Sequence, residues 1–198
     1  MTAIAIHLHP IIDLTDEQFE QLCQANPDLK LERTEAGELI VMPPTGWGTG
    51  KRNTKITQRL ANWADQDATG VAFDSSTGFK LPNKANRSPD AAWVRQERLD
   101  ALNPDPDKFL PLAPDFVVEL RSATDELKLL QNKMQEYREN GVRLGWLIDP
   151  QTQSVEIYRQ GQDVEVLRSL EASAKPSPIT LSGEDILPGF VLDLRDIF

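Results

Sequence analysis

The feature that most constrains the fold is a strand–helix–strand pattern between residues 113 and 149. Residues 116–120 and 144–148 are short apolar runs, and a helical segment over about 124–140 separates them. This connection is long enough for a right-handed crossover, so the pattern predicts two parallel strands of one sheet. A central parallel strand is apolar on both faces, yet Glu119 interrupts the first run. Because a buried carboxylate is costly unless it is paired or binds a metal, Glu119 is the first candidate functional residue.

The remaining pattern predicts a mixed α/β domain with a central mixed sheet. Thr15 can cap a helix over residues 11–26, and a second helix over 49–67 places Ile56, Leu60 and Trp63 on one face. Residues 29–42 are typical of a hairpin. Further strands are expected over residues 71–76, 79–81, 88–94, 154–159 and 164–168, and a short helical turn over 97–102. We expect a loop over 171–178 and a C-terminal segment, 181–198, that packs against the body or a partner subunit.

The amino-acid composition limits which class of protein this chain can be. With 39% hydrophobic and 26% charged residues, the chain is expected to fold, and 198 residues suit one domain. Its apolar runs are far shorter than the roughly 20 residues that span a bilayer, and its N-terminus does not resemble a signal peptide. The single cysteine, Cys23, excludes an internal disulfide and a cysteine-based zinc site. We therefore expect a cytoplasmic protein without a membrane partner.

The net charge of −10 argues against a general nucleic-acid coat protein, because phosphate binding depends on lysine and arginine. The charge is unevenly distributed, however. Residues 47–60 contain Lys51, Arg52, Lys55 and Arg59 and no acid. Lys51, Arg52 and Lys55 fall near the start of a predicted helix, where they could bind phosphates of a nucleic acid. A basic face on an acidic protein is therefore compatible with the sequence.

Asp90 and Glu119 form the main candidate pair, since each belongs to a short apolar strand opened by Pro-Asp. Two carboxylates from neighbouring strands can share one divalent cation, and Mg²⁺ prefers one or two carboxylates together with water and phosphate oxygens. Asp115 lies about 13 Å along the strand from Glu119, too far to share an ion, and suits a turn cap. The alternative is that Glu119 is simply paired with Arg121 or another base.

Lys133 and Glu38 are the further candidates. Lys133 lies at the edge of the predicted buried stripe of its helix, from where its ammonium could reach a carboxylate cluster over the sheet. A lysine there can equally extend along the surface into solvent. Glu38, in the second arm of the hairpin, could add a weaker metal ligand or simply be an exposed strand residue.

Four segments in order resemble the Uma-type family of restriction-endonuclease-like proteins. They are Ser-Pro-Asp-Ala-Ala-Trp-Val (88–94), Pro-Asp-Phe-Val-Val-Glu-Leu-Arg-Ser (114–122), Leu-Gln-Asn-Lys-Met-Gln-Glu-Tyr (130–137) and Gly-Trp-Leu-Ile-Asp-Pro (145–150). The resemblance implies the PD-(D/E)XK nuclease fold, in which helices flank a central mixed sheet. It implies one domain over residues 1–198, with an N-terminal helix and hairpin (1–45), a nuclease-like core (46–160) and a C-terminal strand and tail (161–198).

The same resemblance implies that Asp90 and Glu119 hold Mg²⁺ or Mn²⁺ and that DNA is the substrate. Arg121 stands where the general nuclease pattern has lysine, so the resemblance assigns the catalytic lysine to Lys133 on the following helix. Many members carry a histidine after the Pro-Pro turn, where this chain has Gly46-Trp47-Gly48. Double-strand cleavage needs two sites, so a homodimer is expected. The alternative is a non-catalytic nuclease-fold protein that binds nucleic acid or another protein.

Overall fold

The computed structural model describes residues 3–168 and 180–198. The expected loop over 171–178 lies outside these residues. In chain order the elements are β1 (Ile4–Ile6), α1 (Asp16–Ala25), β2 (Lys30–Arg33), β3 (Leu39–Met42), α2 (Trp47–Asp67), β4 (Gly70–Asp74), β5 (Phe79–Lys80), β6 (Asn86–Arg87), β7 (Ala91–Arg95), α3 (Gln96–Leu102), β8 (Phe116–Leu120), α4 (Leu127–Glu139), β9 (Leu144–Asp149), β10 (Ser154–Arg159), β11 (Glu165–Arg168), β12 (Thr180–Ser182) and β13 (Val191–Asp193).

The central sheet has six strands in the order β11-β10-β9-β8-β7-β4. β8 and β9 are parallel, as the strand–helix–strand pattern predicts, and the other pairings are antiparallel. Every residue of β8 and β9 is buried. Because α4 connects the two parallel strands, its position over the sheet is fixed by the crossover. The predicted central mixed sheet flanked by helices is confirmed.

The two faces of this sheet carry different layers. Phe116, Val118 and Leu120 of β8 face α2, while Val117 faces α4 through Met134. Glu119 alternates with these residues and therefore points toward α4, away from α2. The side of the sheet that carries α4 is thus the side of the candidate site.

The C-terminal segment completes the layer that contains α2. Leu187, Leu192 and Leu194 are fully buried, and they belong to the same hydrophobic cluster as Ile56 and Leu60 of α2. Trp63 is partly buried against this cluster and donates a hydrogen bond from Nε1 to the Pro188 carbonyl at 3.1 Å. The expectation that residues 181–198 pack against the body is confirmed.

A second, five-stranded sheet has the order β1-β3-β2-β6-β5. The β2–β3 hairpin and the Thr15 cap of α1 agree with the sequence analysis, and Gln18 completes a capping box with Thr15. The helix begins at Asp16, later than predicted, because the capping box fixes its start. β1 was not predicted; it pairs with β3 over only three residues. None of the described helices combines the length and apolarity needed to cross a membrane.

Candidate functional site

Asp90 and Glu119 meet where β7 begins and β8 ends. Ala91 of β7 is paired with Val118 of β8 in an antiparallel register, so extending that register by one residue places Asp90 opposite Glu119. Asp90 Oδ2 accepts a hydrogen bond from the Leu120 backbone N–H at 2.8 Å. The sequence suggested that the two carboxylates belong to strands, and the structure shows that these strands are neighbours.

Lys133 reaches this pair from α4. Its Nζ lies 2.9 Å from Oε1 of Glu119, and only 11% of the lysine side chain is exposed. Lys133 can reach Glu119 because Met134 and Tyr137, on the predicted buried face of α4, pack against the sheet and Lys133 lies at the edge of that face. The Glu119 carboxylate is therefore paired with Lys133 and not with Arg121. The structure joins Asp90, Glu119 and Lys133 at one end of the central sheet.

Tyr137 contacts the same carboxylate from the next turn of α4. Its hydroxyl donates a hydrogen bond to Oε1 of Glu119 at 3.1 Å, and both side chains are buried. Lys133 and Tyr137 are four residues apart and so share one helix face. Burial, followed by the negative charges of Glu119 and Glu32, raises the pKa of Tyr137 well above its ordinary value. The tyrosine is consequently a neutral hydrogen-bond donor in this site.

Glu32 of β2, like Tyr137, is a site residue that the sequence did not indicate. Its Oε1 lies 2.8 Å from Nζ of Lys133 and also accepts the Ser88 backbone N–H at 2.9 Å. Its Oε2 accepts from Nη1 of Arg87 at 3.1 Å, and Arg87 in turn donates from Nε to Glu136 of α4 at 2.6 Å. The N-terminal hairpin therefore contributes a carboxylate to the site through Glu32.

Glu119 and Glu32 have very different pKa values because their surroundings differ. Burial, reinforced by the charges of Asp90 and Glu32 and partly offset by Lys133, raises the pKa of Glu119 to about 7. Burial acts in the same direction on Glu32, but the charges of Lys133 and Arg87 outweigh it and lower the pKa of Glu32 to about 2. Glu32 is therefore a permanent anion at neutral pH, whereas Glu119 exchanges its proton near neutrality.

Asp90 and Lys133 also have shifted pKa values. Burial also raises the pKa of Asp90, although Lys30 and the Leu120 N–H oppose it. Burial disfavours the Lys133 ammonium, but Glu119 and Glu32 outweigh that effect and raise the pKa of Lys133. The connected network contains four carboxylates, Glu32, Asp90, Glu119 and Glu136, and two cations, Arg87 and Lys133. The carboxylates thus outnumber the cations, even when Lys30, whose charge lowers the pKa of both Asp90 and Glu32, is included.

A single divalent cation fits this donor set. Across residues 3–168 and 180–198, no group of three or more His, Cys, Asp or Glu side chains has the spacing of a metal cage. Mg²⁺ does not need one, because it ordinarily takes one or two carboxylates and keeps water and substrate phosphates in its other positions. Asp90 and Glu119 would supply those two carboxylates, and because burial raises the pKa of both, a cation held between them would favour their ionised forms.

Arg121 and Asp115 have partners outside the cluster. Arg121 Nη1 donates to Oδ2 of Asp149 at 2.8 Å, and its Nε donates to the Asp125 carbonyl. Asp115 accepts the Arg95 backbone N–H at 2.9 Å and pairs with Arg98, so its carboxylate binds the end of β7 and α3 and does not cap its own turn. Arg121, two positions after Glu119, therefore links the end of β8 to the end of β9.

Glu38 is not brought into the cluster. It lies at the hairpin turn, where its backbone N–H donates to Thr34 and its carboxylate lies 2.7 Å from His7 Nδ1. Glu32, on the other arm of the same hairpin, reaches the site instead. No local sequence pattern distinguishes Glu32 from Glu38. Leu31, Glu32 and Arg33 are all buried, and their strand has no polar–apolar alternation.

The basic residues at the start of α2 belong to the opposite face of the central sheet. Arg52 Nε donates to the Ile197 carbonyl at 2.7 Å, and Lys55 Nζ lies 3.0 Å from Asp196. Arg59 also contacts Asp196, at 2.9 Å. Lys51 is exposed. Their predicted contact with nucleic acid stays a prediction, and two of the three residues named for it also hold the C-terminal segment.

Comparison with known proteins places this geometry in a family. No curated protein gives a significant match. A solved structure described as "a putative nuclease belonging to DUF820 from Anabaena variabilis ATCC 29413" superposes with a TM-score of 0.75 at 19% identity, covering 93% of this chain and 97% of that chain. At this identity the similarity shows the fold. The profile of the Uma2 family, described as "Putative restriction endonuclease", matches residues 16–195. The chain therefore belongs to the Uma2 family of nuclease-fold proteins.

Proposed function

We propose that this protein is a Mg²⁺- or Mn²⁺-dependent endonuclease that hydrolyses phosphodiester bonds of DNA. The observation that carries the proposal is the convergence of Asp90, Glu119 and Lys133 at the ends of adjacent strands, with Lys133 2.9 Å from Glu119. This is the arrangement that the resemblance to PD-(D/E)XK nucleases implies. Two buried carboxyl groups of raised pKa on adjacent strands support a cation between Asp90 and Glu119.

In this proposal each residue has a distinct role. Asp90 and Glu119 hold the ion, which supplies Lewis acidity toward a phosphodiester oxygen and toward water. Lys133, which the two glutamates keep protonated, orients the attacking water or stabilises charge that develops on the phosphate. Tyr137 holds the Glu119 carboxylate in place with its hydroxyl. Glu119 must lose its proton to bind the ion, so metal binding is expected to strengthen as the pH rises through about 7.

DNA binding and dimerisation complete the proposal. Lys51, Arg52 and Lys55 lie on the other face of the central sheet from the site, so they would contact phosphates away from the scissile bond. Lys51 is exposed, whereas Arg52 and Lys55 would exchange contacts with Ile197 and Asp196 for phosphate oxygens. Cutting both strands of a duplex requires two active sites, so a homodimer is expected if the product is a double-strand break.

The test is a pair of measurements on the wild type, Asp90→Asn, Glu119→Gln and a matched control, Glu35→Gln, an exposed residue of the hairpin turn. Calorimetric titration with Mn²⁺ is run with and without a short DNA duplex, and plasmid cleavage is followed with Mg²⁺ and with Mn²⁺. We expect Asp90→Asn and Glu119→Gln to lose metal binding and cleavage and Glu35→Gln to keep both. Metal-dependent cleavage that survives both substitutions would contradict the proposal. Metal binding by the wild type without cleavage of any DNA would favour the non-catalytic alternative.

A further inference from the structure

Glu32 contacts both the helix that carries Lys133 and the segment that leads into Asp90. Through Oε1 it contacts Lys133 of α4 and the backbone N–H of Ser88, two residues before Asp90. Through Oε2 it contacts Arg87, and Arg87 is held by Glu136, one turn from Lys133 on α4. The Glu32 side chain is 2% exposed. With both oxygens engaged and almost no solvent contact, its carboxylate has a fixed position.

Lys133 is shared between two carboxylates at nearly equal distances. Its Nζ lies 2.8 Å from Glu32 and 2.9 Å from Glu119. A divalent cation on Glu119 would repel the ammonium, because both are positive and the site is buried. Glu32 is the partner that does not depend on the cation. Its other donors, Ser88 and Arg87, hold it in place whether or not Lys133 keeps its contact with Glu119.

We propose that Glu32 is a positioning residue that retains the Lys133 ammonium in the active site when a divalent cation takes Glu119. The inference rests on the proposed function and adds a role that the Asp90–Glu119–Lys133 set lacks. Without Glu32, Glu119 would be the remaining carboxylate partner of Lys133 in this network, and the ammonium would compete with the metal for it. Glu32 lets lysine and cation occupy the site together.

A double-mutant cycle with Mn²⁺ as the calorimetric probe tests this. The proteins are the wild type, Glu32→Gln, Lys133→Met, the double variant and Glu35→Gln. We expect Glu32→Gln to weaken Mn²⁺ binding about tenfold, because the ammonium then competes for Glu119; this is the lower end of the range for losing an outer-shell partner of a metal site. In the Lys133→Met background the same substitution is expected to change binding less than threefold, since no ammonium then competes for Glu119. Glu35→Gln should bind like the wild type.

The double-mutant cycle distinguishes the positioning role of Glu32 from a purely electrostatic or a purely structural role. An equal loss in both backgrounds would show that Glu32 acts only as a nearby negative charge and would overturn the inference. Unchanged Mn²⁺ affinity in Glu32→Gln would show a purely structural role and would also overturn it. Failure of the wild type to bind Mn²⁺, with or without DNA, would contradict the proposed function itself and this inference with it.

Glu32→Asp keeps the test decisive if Glu32→Gln does not fold. Aspartate retains the charge but is shorter by one methylene group, so its carboxylate cannot reach Lys133 while it also holds Ser88. We expect folded Glu32→Asp, verified by near-UV circular dichroism, to weaken Mn²⁺ binding and to lower kcat for plasmid cleavage with little change in KM. Wild-type Mn²⁺ affinity and kcat in this variant would overturn the positioning role.

The ammonium can also be observed directly. In ¹⁵N-labelled wild type we expect a solvent-protected Nζ signal, absent in Lys133→Met, that persists when Mg²⁺ is added. In the Glu32 variants that fold, the signal should be lost on Mg²⁺ addition, because no fixed partner remains. Persistence of the signal in a Mg²⁺-loaded Glu32 variant would overturn the inference.

Discussion

At the scale of single residues, Glu119 places a carboxylate in a strand that is otherwise apolar and fully buried. Lys133 and Tyr137 compensate part of the free-energy cost of burying this carboxylate, yet the pKa of Glu119 remains raised to about 7. A group with a raised pKa in the folded state contributes stability below its unfolded pKa and loses it as the pH rises through the folded value. The metal-free protein should therefore lose stability between about pH 4.5 and pH 7.

Glu119→Gln is expected to remove this loss. Glutamine resembles the protonated glutamate, so the variant and the wild type should differ little at pH 5. At pH 8 the variant should be the more stable by about 2–3 kcal/mol relative to that baseline, because the wild type loses roughly 1.4 kcal/mol per pH unit between pH 5 and the Glu119 pKa of about 7. Urea unfolding in the presence of a chelator at the two pH values measures this. An equal difference at both values would contradict a raised pKa for Glu119.

Arg121 gives a second prediction at this scale. Its guanidinium is bound to Asp149 and to the Asp125 carbonyl, so a lysine at this position would also be directed away from Glu119. We expect Lys133→Met to abolish cleavage and the double variant with Arg121→Lys to remain inactive. Plasmid cleavage in Mn²⁺ measures both. Recovery of cleavage in the double variant would show that position 121 can reach the active site.

The residues of the site were only partly predictable from the sequence. Glu119 was apparent as a charge within an apolar strand, and Lys133 as a residue at the edge of a buried stripe. The pairing of Asp90 with Glu119 required the strand order. Glu32 could not be predicted, because its contact with Lys133 joins residues 101 positions apart and depends on how the hairpin packs against α4.

At the scale of elements, the approach of α4 to β9 determines where Lys133 and Tyr137 lie. Gly145 makes this approach possible: a Cβ at that position would lie 2.6 Å from the Met134 methyl and 3.2 Å from Val117 Cγ2. A larger residue must therefore displace Met134 or the helix. Gly145 thus leaves the space that the Met134 side chain of α4 occupies against the sheet.

Gly145→Val should destabilise the protein by about 1–3 kcal/mol, the usual range for overpacking a core. Met134→Ala alone should also be destabilising, because Met134 is buried. In combination the two should cost less than their sum, since the alanine makes room for the valine. Chemical denaturation of the single and double variants measures the coupling. Strict additivity would show that Gly145 and Met134 do not compete for the same space.

Elements with strong periodicity were the predictable ones. The β8–α4–β9 unit and α2 follow from apolar runs and from the spacing of Ile56 and Leu60. β1 was missed because three residues carry too little pattern, and it forms only through pairing with β3. The start of α1 was placed too early because the capping box, and not the preceding apolar residues, defines where that helix begins.

At the scale of the whole molecule, the C-terminal segment is part of the core. Leu192 is fully buried against the layer that contains α2, whereas its neighbour Val191 is 58% exposed. We expect Leu192→Ala to lower the free energy of unfolding by about 2–5 kcal/mol. Val191→Ala, the matched control, should change it by less than about 0.5 kcal/mol. Equal effects in thermal or urea unfolding would contradict a core role for this segment.

The same segment governs when the fold can be completed during synthesis. Arg52 and Ile197, which are hydrogen-bonded, lie 145 positions apart. At a translation rate of about 5–20 residues per second, α2 therefore waits roughly 7–30 seconds for the residues that, together with the central sheet, cover its apolar face. A ribosome-bound chain that stops before residue 181 would leave Ile56, Leu60 and Trp63 without this cover. Such a nascent chain would expose part of this apolar layer and would be a natural client for chaperones and proteases.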